Sequence, residues 1–172
     1  MDSAAGRMNP TRTGHSSGVD RAPDDASLTR TIVSLDELAA LVAAENGGDL
    51  YVRWSLGPDV DLAHGQSSRD GLTGVALPGL SASSLRVEPW WDRSLRLWLA
   101  RRLYDYRHLP ELRGPGVRPW VLRGIEVARG PDNEPLVKCD RPVAWVADTV
   151  LHAAERLVEE QNSPEWGPMD RR

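Results

Sequence analysis

Apolar positions recur at helical spacing in three stretches of the chain and at strand spacing in several others. Ser34-Leu35-Asp36-Glu37 has the form of a capping box, with Ser34 as N-cap and Glu37 reaching back to its amide. Leu35, Leu38, Ala39, Leu41 and Val42 follow with helical period, and Gly47-Gly48 supplies the stop. Leu50 to Ser55 then alternates. Leu50, Val52 and Trp54 fall on one face of a predicted strand, and Tyr51, Arg53 and Ser55 on the other, polar one. Gly57-Pro58-Asp59 ends it. From Asp59 to Ser84 no period holds, and Gly65, Gly71, Gly74, Pro78 and Gly79 predict mostly loop, with a short strand near Leu72 to Leu77. An irregular stretch of that length inside a domain is more often functional than idle. Leu85 to Glu88 reads as one more short strand, stopped by Pro89.

A second helix is predicted from Asp92 or Arg93 to His108. Leu95, Trp98, Leu99, Leu103 and Tyr106 make a single apolar stripe, Arg93, Arg96, Arg101 and Arg107 take other faces, and Pro110 terminates the element. Arg118 to Arg129 is apolar on both sides and predicts a central strand. Gly130-Pro131-Asp132-Asn133 is turn chemistry, and Glu134 to Cys139 is the returning strand of a hairpin, with Pro142 to Val146 extending the sheet. Asp148 is the expected N-cap of a last helix, Thr149 to Gln161. The order specifies an α+β fold: a small mixed or antiparallel sheet with about three helices packed on it.

Composition bounds this picture. The first thirty residues hold only Val19 and Leu28 as large aliphatics, which predicts a disordered tail over 1–30, a single domain over 31–162 and a second tail over 163–172. No apolar run approaches the ~20 residues of a membrane span, and no hydrophobic leader opens the chain. Cys139 is the only cysteine and the four His are scattered, so neither a disulfide scaffold nor a metal site is expected. A cytoplasmic protein is what these exclusions leave. The net charge of -4 makes nucleic acid an unlikely partner. Within it, Arg86 to Arg129 carries ten Arg against five acids, a basic middle that either meets an anionic ligand or pairs across the fold. Seven Trp and no Phe imply that Trp54, Trp98, Trp120 and Trp145 take core positions that Phe fills elsewhere.

Candidate chemistry lies in three strings: Arg53-Trp54-Ser55-Leu56-Gly57-Pro58, Gly79-Leu80-Ser81-Ala82-Ser83-Ser84, and Arg129-Gly130-Pro131-Asp132-Asn133-Glu134-Pro135. On these the chain resembles small Trp-rich actinobacterial proteins known only as a domain of unknown function. That resemblance spans about Ser34 to Glu160 and implies a bacterial origin and one compact domain, with no activity, substrate or cofactor attached. The order Arg53, Ser81, Glu134 is also similar to the Arg-Ser-Glu layout of ADP-ribosyltransferases. That similarity implies Arg53 on NAD phosphates, Ser81 and Ser83 against the nicotinamide end, Glu134 stabilising an oxocarbenium-like transition state, and Tyr51 or Trp54 stacking on the base. NAD is a cofactor under that reading alone. The competing reading is a regulatory module that binds a small nucleotide ligand or a protein partner. It uses Tyr51, Trp54, Ser55, Ser83, Asp132 and Asn133, or the Trp98, Arg101, Arg102 and Tyr104 face, because Trp and Arg dominate binding hot spots. Cys139 is expected to be a buried thiol on a strand.

Overall fold

A computed structural model of the chain describes residues 28–45 and 49–161. The Gly47-Gly48 stop and the expected C-terminal tail lie outside the described residues, as does the expected N-terminal tail up to residue 27. After β1 (Thr31–Ile32), Ser34 opens α1 (Leu35–Ala44), its Oγ accepting from the Glu37 amide at 3.1 Å. Glu37 does not return to the Ser34 amide as the capping-box pattern implies. Its carboxylate accepts from the Val33 N–H at 3.0 Å, one residue earlier.

β2 (Leu50–Ser55) matches the alternation, yet all six of its residues are buried. Its polar face therefore points into the protein. The next 25 residues depart most from expectation. α2 (Pro58–Ala63) is a single short helix with Pro58 at its start, too brief for an apolar period to announce it. Strands form at β3 (Leu80–Ser81) and β4 (Ser83–Ser84), and neither Leu72–Leu77 nor Leu85–Glu88 is one.

α3 (Leu95–Tyr104) is shorter than predicted and buries eight consecutive residues, Leu97 to Tyr104, rather than one stripe. Pro110 does not end the helical stretch but sits in the first turn of α4 (Leu109–Arg113), where its missing N–H is harmless. β5 (Arg118–Arg129) and β6 (Pro135–Val146) form the predicted hairpin. Pro142 is accommodated because the register shifts there, Val121 opposing Ala144 and Leu122 opposing Pro142. α5 (Asp148–Glu160) is capped by Ala147 without a side-chain bond, and Asp148 is its first residue instead of its cap.

The sheet runs β1-β6-β5-β2-β4, with β1 parallel to β6 and every other pair antiparallel. β3 returns to pair with β6, Leu80 opposite Val137. Only Ala82 separates β3 from β4, so the segment 80–84 bonds to β6 at one end and to β2 at the other. The sheet is thereby curled into a half-barrel. Its lumen holds Tyr51, Leu80, Ala82, Trp120, Leu122, Val137 and Cys139. Its outer face packs on α1, α3 and α5 through Leu38, Val52, Trp98, Leu103, Val121 and Val150. β5 is central in the sheet, but Ile125 and Val127 near its far end are exposed, so only its first half is covered on both faces.

Enclosure of α3 removes one expected binding surface. Trp98, Arg101, Arg102 and Tyr104 are only 0%, 1%, 3% and 8% exposed. Arg101 is paired with Asp105 at 3.0 Å, and the Arg102 guanidinium lies 4.4 Å from the Trp98 ring centroid. These residues stabilise the interior and present no face to a partner. Trp54 and Trp120 are buried as expected, whereas Trp145 is only partly buried, with the Arg118 guanidinium 3.6 Å from its centroid.

Candidate functional site

Arg53 and Ser55 project from the inward face of β2. Gly57, at φ 127°, turns the chain in a conformation that favours glycine, and α2 brings Asp61 back beneath them. The Arg53 guanidinium donates Nε–H to Asp61 Oδ2 at 2.7 Å and a terminal N–H to Oδ1 at 2.8 Å, a bidentate fork. Its other terminal nitrogen donates to Ser68 Oγ at 3.0 Å and to the Ser81 carbonyl at 2.8 Å. Ser55 Oγ donates to Asp61 at 2.6 Å and accepts from Trp120 Nε1–H at 2.8 Å. Ser68 Oγ also accepts from the Ser81 amide at 2.8 Å. Four pieces of chain (β2, α2, the following loop and β3) are tied together at one guanidinium.

A cleft of about 460 Å³ opens beside this network, where β4 stops pairing with β2 at Val52. Arg53 and Trp54 line one side, the Ser67–Leu72 loop and Ser81–Ser83 a second, and residues following α3 with Arg113 of α4 a third. The hairpin turn contributes Pro131, Asp132 and Glu134. Of the residues singled out from sequence, Arg53, Trp54, Ser81, Ser83, Asp132 and Glu134 thus line one cleft.

Three others do not. Tyr51 lies in the half-barrel lumen, where burial raises its phenol pKa above the ordinary 10.0, and it cannot stack on a ligand in the cleft. Ser55 is covered by its bonds to Asp61 and Trp120. Asn133 holds the turn in a left-handed conformation, φ 63°, its amide donating to the Gly130 carbonyl. Cys139 is buried in the lumen, and burial pushes its thiol up to about 11, which makes it a poor nucleophile.

Arg53, placed on NAD phosphates by the sequence pattern, already has a carboxylate and makes four hydrogen bonds within the protein. Glu134 stands at the rim, its carboxylate accepting from the Asp132 N–H at 3.0 Å. The residues that sequence reading missed are Asp61, Ser68, Arg69, His108 and Arg113. Asp61 and Ser68 fall in the stretch without period, and Arg113 in a five-residue helix, so no pattern marked them.

Trp54 belongs to neither apolar cluster although it is 4% exposed. Together with His108 it lines both the cleft and a second cavity of about 550 Å³ bounded by α3, α4 and α5. Its indole N–H is closed off from solvent and has no hydrogen-bond acceptor. No group of three or more His, Cys, Asp and Glu among the described residues is placed to hold a metal ion. No helix among them is long and apolar enough to cross a membrane.

A family model, described as a family of unknown function, matches residues 25–167. The chain belongs to family DUF6098. The match covers every element that builds the cleft and agrees with the expected membership of a domain of unknown function. No curated protein and no solved structure matches this DUF6098 chain. Its chemistry has to be argued from its own side chains.

Proposed function

We propose that this domain is a small-ligand-binding module whose ligand occupies the cleft between β2, the 80–84 segment, α4 and the hairpin turn. The carrying observation is the Arg53 network beneath it, which fixes Asp61, Ser68 and Ser81 before any ligand arrives. A preformed concavity of about 460 Å³ with a few convergent polar groups falls within the ~300–1,000 Å³ of small-molecule sites. A regulatory role suits a cleft whose Asp61 and Ser68 are held in the Arg53 network, and a cytoplasmic setting suits a lone buried thiol. Amide NMR of the full chain against a fragment library tests the site. Hits should move the resonances of Ser68, Ser81 and Glu134. Hits that move only residues elsewhere would reject the reading.

A second reading keeps NAD as the ligand, supported by the convergence of Arg53, Ser81, Ser83 and Glu134 on one cleft. Because Arg53 is committed to Asp61, the diphosphate would have to meet Arg113 or Arg69. Titration with NAD decides: absence of cleft shifts at millimolar NAD discards this version and leaves the first intact.

A further inference from the structure

The carboxylates around the cleft are already engaged, whereas some of its donors are not. Asp61 receives two N–H groups of Arg53 and the Ser55 hydroxyl. Asp70 receives the Leu72 amide at 3.0 Å and the Thr73 hydroxyl at 2.6 Å. Asp105 is paired with Arg101, and Glu134 with the Asp132 amide. Against these, the guanidinium of Arg113 makes no hydrogen bond or ion pair with any described residue. Arg69 uses a single terminal nitrogen, on the Gly74 carbonyl. Arg113 is partly desolvated and lies within the field of Arg53, and both effects lower its pKa. The carboxylate it senses, Asp61, is spoken for. Arg113 is exposed and has no acceptor within the protein, so water meets its donors in the free cleft and a ligand anion can displace that water with a charge-assisted fork.

We propose that the ligand carries a carboxylate or phosphate seated on the Arg113 guanidinium, with Arg69 as the second cation. This rests on the cleft reading above and narrows it to a chemical class. A fork of guanidinium donors suits planar carboxylate and tetrahedral phosphate alike, so the experiment must separate the two.

Full-length protein is titrated at constant ionic strength with inorganic phosphate, adenosine monophosphate and succinate, and with the neutral counterparts adenosine and succinamide. Amide NMR reads the cleft. At least one anion should shift Ser68, Ser81 and Glu134 saturably, phosphates or succinate according to the group recognised. Arg113→Gln should weaken that binding roughly tenfold, the size expected for losing a charge-assisted hydrogen bond. Arg156→Gln, on the exposed face of α5, should leave it unchanged. Arg113 is exposed, so its variant should retain the wild-type spectrum away from the cleft. If adenosine or succinamide binds as tightly as its charged partner, or if Arg113→Gln binds the anion normally, the anion assignment falls while the cleft reading survives. If no probe of either kind moves a cleft amide, both are overturned.

Discussion

At the scale of single residues, the choice is whether Arg53 serves the fold or a ligand. Its guanidinium is buried against a buried carboxylate in a bidentate fork, and its remaining nitrogen donates to Ser68 Oγ and to the Ser81 carbonyl of the 80–84 segment. Removing one member of such a pair strands the other charge, which costs about 3–5 kcal/mol. Asp61→Asn should therefore lower stability by that order in urea unfolding. A paired Arg53→Met, Asp61→Leu variant should lose less than the two single changes added together. If Asp61→Asn costs under ~1 kcal/mol, on the scale of an exposed pair, Arg53 is available to a ligand and the second reading regains ground. The two indoles nearby make a matched comparison. Trp120→Phe removes a donor that Ser55 uses, whereas Trp54→Phe removes one that meets nothing. Trp120→Phe loses one net hydrogen bond, about 0.5–1.5 kcal/mol, while Trp54→Phe removes a buried donor that was never paired, so Trp120→Phe should be the more destabilising in the same assay. Arg53, Trp54 and Ser55 were legible as alternating positions on a strand. Asp61 was not, because an ion pair eight residues away across a glycine turn leaves no periodic trace.

Among the elements, the 80–84 segment decides whether the sheet is an open fan or a half-barrel. Nothing in Leu80 to Ser84 favours a strand on propensity; it is extended because β6 and β2 each offer it an edge. Tertiary pairing of this kind is invisible to local pattern, which is why strands were expected at Leu72–Leu77 and Leu85–Glu88 instead. By contrast α1, β2, the β5–β6 hairpin and α5 carry their own period or turn chemistry and were read nearly to their ends. Gly79 gives the closure a specific weak point. A Cβ there would lie 2.8 Å from the Val137 nitrogen and 2.9 Å from the Leu136 carbonyl carbon, both backbone atoms of the strand being joined. Gly79→Ala should push β3 off β6 at a cost of about 1–3 kcal/mol, the range of an overpacked site. Hydrogen exchange should accelerate at Ser81 and Ala82, on the wall of the cleft, more than in α1 or α5. Uniform acceleration, or none, would deny the segment its closing role.

Over the whole molecule, five of the ten arginines in the basic middle of the sequence resolve into internal ion pairs, while Arg113 of the same stretch lines the cleft. Arg96 meets Asp36, Arg101 meets Asp105, Arg107 meets Glu155, Arg123 meets Glu45 and Arg129 meets Glu126. Arg101–Asp105 and Arg129–Glu126 are local, four and three residues apart, whereas the other three join distant segments and required the fold to be known. Enclosure of α3 had the same origin: its single stripe became an all-round core because three neighbours cover it. The half-barrel lumen makes a prediction that reports on the closed sheet as one unit. Cys139 in it titrates near 11 against an ordinary 9.0, and Tyr51 is raised above an ordinary 10.0, burial being the first cause for both. Folding therefore retains protons that the unfolded chain has released. Below about pH 9 neither group affects stability; from there to about 11 the unfolded thiol ionises while the folded one does not, so stability falls as pH rises. Urea midpoints should be level from about pH 7 to 8.5 and then decline. Cys139→Ala should remove the part of the decline that begins near 9 and leave the later part belonging to Tyr51. Ellman's reagent should label the native thiol slowly at about pH 8 and promptly in urea. Fast labelling of the folded protein, or a decline unchanged in Cys139→Ala, would mean that the lumen admits water and that the 80–84 segment does not seal it.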